Sequence, residues 1–153
     1  MKYLDTQICF QEFPNEISLC INITGCPHKC PGCHSPELWE DVGTELNQHE
    51  LSRLIDKNKG ITLIGFMGGE PSIINTLAAY IKRNYPLNIG WYTGNTTFEG
   101  VNINNFDYIK VGPYIAELGG LDSPTTNQKM YYIKHNSIID SEPINITYKF
   151  WKK

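Results

Sequence analysis

Cys26, Cys30 and Cys33 stand in the order C-x₃-C-x₂-C, inside a run that reads Cys-Pro-His-Lys-Cys-Pro-Gly-Cys-His over residues 26 to 34. Four residues of extended chain reach about 13 Å, so thiols this close cannot serve distant sites. Thiolates hold iron–sulfur clusters and zinc. A 4Fe–4S cluster on three cysteines would leave one iron open to a substrate. Zinc would take a fourth ligand, which His28 or His34 could supply. Two other chemistries fit part of the run: Cys30 to His34 matches the C-x-x-C-H haem-attachment pattern, and Cys30 with Cys33 matches a dithiol redox motif. Haem attachment normally follows export, and residues 1 to 7 carry no apolar export segment. The dithiol reading leaves Cys26 without a task.

A second stretch able to do chemistry is Met67-Gly68-Gly69-Glu70-Pro71, which follows the apolar run Ile61 to Phe66. Glycines let backbone approach a ligand closely. Carbonyls at a strand end, with the Glu70 carboxylate, can accept hydrogen bonds from an ammonium group. A glycine pair alone often marks only a turn. Trp39 reads as a loop anchor or as a wall beside a cofactor, and Lys110 is ambiguous, more often a solvated strand lysine than a carboxylate ligand. Asn127 either caps a loop or bonds a cofactor or partner. Cys9 and Cys20 read as small, buried, apolar residues without a ligand role.

The elements that must position these groups follow from periodicity. Residues 8 to 13 and 17 to 24 predict two strands joined at Pro14-Asn15-Glu16, a hairpin leading into the cysteine loop. Gly25, Pro27, Pro31 and Gly32 make residues 26 to 34 a loop, and residues 34 to 45 continue it. Asn47 with Glu50 resembles a capping box, Leu51, Leu54 and Ile55 give a helical stripe, and Gly60 suits the stop. Ile61 to Phe66 has the length and continuous apolarity of a buried parallel strand. Ser72 to Tyr85 is helical, with Ile73, Ile74, Leu77, Ala78 and Ile81 on one face and Pro86 as the stop. Asn88 to Tyr92 and Asp107 to Val111 are strands, and residues 95 to 106 hold no full helix between them. Ile144 to Phe150 alternates as a half-buried strand. Strand–helix alternation predicts one α/β domain over residues 1–153 with a mainly parallel sheet. Ligands then sit at the carboxyl ends of the strands, which both the cysteine loop and Gly68-Gly69-Glu70 follow.

The C-x₃-C-x₂-C run resembles the signature of the radical S-adenosylmethionine superfamily. Cys33 to Trp39, Asp107 to Tyr114, Glu117 to Leu121 and Ser123 to Gln128 resemble the anaerobic ribonucleoside-triphosphate reductase activating proteins, which are glycyl-radical-enzyme activases. The resemblance covers most of residues 13 to 133 and implies a partial, shortened (β/α)₆-type barrel. It implies that Cys26, Cys30 and Cys33 each ligate one iron of a 4Fe–4S cluster, with S-adenosylmethionine chelating the fourth. Many superfamily members carry an aromatic residue before the third cysteine. Here it is Gly32, so the implied adenine contact there falls to backbone. Gly68, Gly69 and Glu70 would bind the methionyl amine. One electron from an external donor, such as flavodoxin or ferredoxin, would release a 5′-deoxyadenosyl radical. That radical would take hydrogen from a glycine of the partner, the anaerobic reductase. The rival readings are a radical enzyme acting on a small molecule, of the deazapurine-synthase kind, and a non-enzymatic zinc or iron–sulfur domain.

Composition narrows the field. A net charge of −3 gives no electrostatic case for nucleic acid or an anionic membrane. No stretch approaches the roughly 18 apolar residues of a membrane span. A cytoplasmic setting is expected, where thiols stay reduced and metal binding is the better default. All five cysteines lie in the first 33 residues, so nothing downstream can hold an auxiliary cluster through thiolates.

Overall fold

The computed structural model describes residues 1–26 and 36–151. Eight strands form one sheet: β1 (Lys2–Cys9), β2 (Ser18–Ile23), β3 (Thr44–Glu45), β4 (Leu63–Met67), β5 (Asn88–Tyr92), β6 (Tyr108–Val111), β7 (Lys129–His135) and β8 (Ser141–Asn145). Their spatial order is β3-β1-β2-β4-β5-β6-β7-β8. The pairs β2–β4, β4–β5 and β5–β6 are parallel, while β1–β2, β1–β3, β6–β7 and β7–β8 are antiparallel. The sheet is therefore mixed, where a mainly parallel one was expected. Strands joined by a short turn must pair antiparallel, as β1 does with β2 and β7 with β8. Only chain that crosses over can pair parallel.

Two helices make such crossovers. Helix α1 (Gln48–Lys57) starts at Asn47, whose side chain accepts from the Glu50 amide at 2.9 Å. The reciprocal half of a capping box is not used, because the Glu50 carboxylate takes the Tyr3 hydroxyl at 2.7 Å and the Arg53 guanidinium instead. Helix α2 (Pro71–Asn84) has proline in its first turn, where no intrahelical amide partner is lost. It buries Ile74, Leu77, Ala78 and Ile81, the i, i+3, i+4, i+7 set. Ile73, expected on that face, is exposed, since it lies about 100° round the helix from Ile74. Between β5 and β6 there is only a 3₁₀ turn, Ile103–Asn105.

Two expected strands are displaced. The first runs over Lys2–Cys9 and not residues 8 to 13. The last is Ser141–Asn145, and Thr147–Phe150 is a 3₁₀ turn. The Asn145 side chain accepts from both the amide and the hydroxyl of Thr147, at 3.0 and 2.6 Å. That local turn competes with extension and ends the strand. Strands β3 and β7 were not expected at all.

The two faces of the sheet pack differently. Leu19, Ile21, Ile64, Phe66, Ile89, Trp91 and Ile109 point to the helices and form the larger core. On the opposite face Cys20, Leu63 and Met130 pack with Phe13, which is fully buried. Gly65 and Gly90 are register partners on that face. A Cβ at Gly65 would stand 2.6 Å from the Phe13 ring, so the glycine pair is a notch cut for it. Tyr92 and Tyr108 flank the same ring, with centroids at 5.2 and 5.8 Å. Phe13 thus pins the turn between β1 and β2 under the sheet. Glu16 completes the anchor, accepting from Asn88 at 2.6 Å and from the Thr62 hydroxyl.

Candidate functional site

A cavity of about 590 Å³ opens at the carboxyl ends of β2, β4, β5 and β6. Cys26 lines it after β2, Met67 and Gly68 at the end of β4, Tyr92 to Gly94 at the end of β5, and Lys110 and Gly112 at the end of β6. Period-two alternation explains the set. Met67 is in register with Tyr92, and Tyr92 with Lys110, so the three form one row on the helix-free face. Its volume lies within the roughly 300–1,000 Å³ typical of small-molecule sites.

Lys110 supplies the positive charge. It is 8% exposed, donates to the Gly112 carbonyl at 3.1 Å, and lies 5.4 Å from the centre of the Tyr92 ring. Of the two readings of Lys110, the solvated one does not hold: a residue facing inward near the strand end is covered by the loop that follows. The Tyr92 hydroxyl donates to the Glu12 carbonyl at 2.6 Å. Burial, first of all, pushes its pKa well above the ordinary phenol value, so it is a hydrogen-bond donor and not a base. Burial likewise pushes the Cys20 thiol up.

The segment Thr126 to Gln128, at the end of the run Ser123 to Gln128 that carries part of the resemblance, wraps the β6 loop. Asn127 donates to the Pro113 carbonyl at 3.0 Å, and Gln128 reaches the Gly112 carbonyl at 3.4 Å while lining the cavity. The loop-capping reading of Asn127 describes this contact. Trp39, at the end of the 3₁₀ turn Pro36–Trp39, lines the cavity as well. Among the described residues its buried indole N–H has no acceptor.

Of the sequence-predicted site residues, Cys26 and Gly68 meet at this cavity. Gly68 has φ +99°, a conformation costly for a residue with a side chain. Its amide donates to the Tyr92 carbonyl at 2.8 Å, and its carbonyl accepts from the Trp91 indole at 2.9 Å. Gly69 and Glu70 do not line the cavity. A Cβ at Gly69 would stand 2.7 Å from Ile74, so this glycine lets α2 pack close to the strand. The Glu70 carboxylate caps α2, accepting from the Ile73 amide at 3.1 Å and from the Ser72 hydroxyl. Those bonds, the Ser72 hydroxyl foremost, hold its pKa below the usual carboxylate value. Cys30, Cys33, Gly32, His28 and His34 lie outside the described residues.

Sequence reasoning missed Tyr92, Gln128 and the burial of Lys110. Tyr92 and Lys110 were legible as the last inward positions of two strands. The fold of the β6 loop onto Gln128 left no periodic signal.

The arrangement can hold a thiolate-bound group at its β2 side and a polar ligand across the row Met67, Tyr92 and Lys110. Cys26 follows a strand that ends at Ile23 and is fixed by its amide, which donates to the Leu38 carbonyl at 3.1 Å. A cysteine so held at a cavity rim suits a cluster ligand whose open iron faces a substrate.

No solved structure matches the chain at a significant level. The sequence profile described as a 4Fe-4S single cluster domain matches residues 17–116, which span β2 to the loop after β6. With that match over the larger part of its length, the chain belongs to the 4Fe-4S single cluster domain family and is an iron–sulfur protein.

Proposed function

We propose that this chain is a radical S-adenosylmethionine enzyme that activates an anaerobic ribonucleoside-triphosphate reductase by generating a glycyl radical on it. The observation that carries the reading is the meeting of Cys26 with Gly68 at one cavity, at the carboxyl ends of parallel strands, in a chain of the iron–sulfur family. Cys26, Cys30 and Cys33 would hold the 4Fe–4S cluster. Bound together, cluster and S-adenosylmethionine supply one-electron chemistry: an electron from an external donor such as flavodoxin or ferredoxin breaks the sulfonium–carbon bond, giving methionine and a 5′-deoxyadenosyl radical that takes hydrogen from the partner's glycine.

The chain's own residues orient and enclose. The Gly68 carbonyl has a second lone pair beyond the Trp91 bond and can accept from the methionyl amine. Lys110 and the Trp39 indole offer donors to a carboxylate or to ribose hydroxyls. Tyr92 and Met67 form an apolar wall that keeps water from the reacting carbon. No residue need take up or give a proton. The four parallel strands with α1 and α2 are read as the retained part of a (β/α)₆-type barrel. The reading places the reaction on a protein substrate in the cytoplasm.

The test is anaerobic reconstitution with iron and sulfide, reduction in the presence of S-adenosylmethionine, and assay of 5′-deoxyadenosine. Product, followed by a glycyl-radical EPR signal on adding the anaerobic reductase, is the expected result. An intact cluster that yields no 5′-deoxyadenosine, with or without the reductase, would sink the proposal in favour of an electron carrier. Turnover of a small molecule with no radical on the reductase would point to the small-molecule branch.

A further inference from the structure

Apart from residues 26 to 33, two thiols and a carboxylate come together among the described residues. The sulfurs of Cys9 and Cys20 and a carboxylate oxygen of Glu12 all lie within 4.8 Å of one another. The β1–β2 register explains the thiols: Cys9 pairs with Ser18, and Cys20 with Gln7, so the two cysteines are diagonal neighbours on one face. Glu12 is brought to them by the turn that follows. Its backbone is held by the Tyr92 hydroxyl at 2.6 Å, and the next residue, Phe13, is locked in the Gly65–Gly90 notch.

Zinc–sulfur bonds of about 2.3 Å at tetrahedral angles put ligand atoms about 3.8 Å apart. The trio therefore needs to contract by no more than about 1 Å to enclose such an ion. Cys20 is buried, whereas Cys9 and Glu12 are partly exposed, so an ion has an inner ligand and a way in. Among the described residues no lysine, arginine or histidine forms an ion pair with Glu12. Two thiols and a carboxylate at the edge of an apolar cluster are a cation's donor set, and thiolate donors select the softer divalent ions.

We propose that Cys9, Glu12 and Cys20 form a second metal site, for a divalent ion of the zinc class, using none of Cys26, Cys30 and Cys33. Two thiol protons leave to solvent as the ion binds, and water completes the fourth position. Glu12 also lines the large cavity, so the ion ties the β1–β2 turn to the cavity wall. It does no chemistry there.

The test uses the full chain with Cys26, Cys30 and Cys33 replaced by alanine, kept anaerobic, and titrated with Co²⁺. One equivalent should bind with a thiolate-to-cobalt charge-transfer band and the intense visible bands of tetrahedral cobalt, and zinc should displace it. Adding Cys9→Ser should abolish the band, and adding Glu12→Gln should weaken binding at least tenfold while keeping it. Circular dichroism on each variant separates lost binding from lost fold. Should the triple variant not fold, zinc per chain is measured on the cluster-loaded protein against its Cys9→Ser form, with one equivalent expected to fall to none. No charge-transfer band in a folded triple variant, or binding unchanged by Cys9→Ser, would overturn the site.

Discussion

At Cys26 the backbone is already fixed by the Leu38 carbonyl, so on the proposed function its replacement would remove a cluster ligand without removing an element. Cys26→Ala should lower 5′-deoxyadenosine formation by more than about a hundredfold, beyond the 10–100-fold typical of groups that only support a ligand. Iron content and product, measured together, check this. Glu70 poses the sharper question, because its carboxylate is engaged as a helix cap. Glu70→Ala should cost about 0.5–2 kcal/mol of stability. Glu70→Ser, which can still cap, should stay close to the parent in melting temperature and within about twofold in KM for S-adenosylmethionine. A tenfold rise in KM with the melting temperature kept would return Glu70 to substrate binding. The two capped or paired carboxylates also set an acid limit. Glu50 is held down to about 2, first by the Arg53 guanidinium and then by the Tyr3 hydroxyl, and Glu70 is lowered as well. A carboxyl whose folded pKa is depressed stabilises fully above its unfolded value, about 4.3, and loses that contribution as pH falls toward the folded value. The melting temperature should thus drop below about pH 4, and less steeply in Glu50→Gln.

At the scale of the element, the Gly65–Gly90 notch decides where the β1–β2 turn sits. Gly90→Ala drives a methyl group into the Phe13 ring and should cost about 1–3 kcal/mol. Phe13→Ala empties the notch and should cost about 3–5 kcal/mol. The double variant should cost clearly less than the sum, because the alanine then fills space the ring has left. Urea unfolding of the four proteins measures that coupling, and strict additivity would mean the ring does not seat on the glycines. Helix α2 was legible because four buried positions repeat at helical spacing. Strand β1 was not, since among Lys2–Cys9 only Tyr3 is buried and no alternation marks it. The alternation from Ile144 to Phe150 suggested a strand that the Asn145 turn interrupts, a competition between side chain and backbone that hydrophobicity does not encode.

For the whole molecule, the sequence located the carboxyl-end rim but not how the rim is closed. Cys26 and Gly68 were legible from motif and spacing. The inward position of Lys110 was legible from strand alternation, but its burial and that of Gln128 were not, because both depend on the β6 loop folding back over them. The mixed character of the sheet was hidden for the same reason: the antiparallel additions at both edges come from segments with weak patterning. Edge strand β8 carries Pro143, which removes one ladder donor and discourages pairing with another sheet.

The anchoring of residues 13 to 17 has a dynamic consequence. Thr62 and Ile17 exchange hydrogen bonds at 2.8 and 2.9 Å, and Glu16 reaches from Thr62 to Asn88, all at the amino ends of β2, β4 and β5. The opposite ends run into the cavity loops, where the Gly68 amide bonds the Tyr92 carbonyl and the Trp91 indole bonds the Gly68 carbonyl, whereas the Glu16 tie across three strands lies at the amino ends. Amide hydrogen exchange should therefore be graded along each central strand, slowest near Leu63 and Ile89 and faster toward Met67 and Tyr92. On the proposed function, such a gradient would let the rim open to a protein substrate while the register holds at the other end. Uniform exchange along β4 and β5 would show that the rim is as rigid as the clasp.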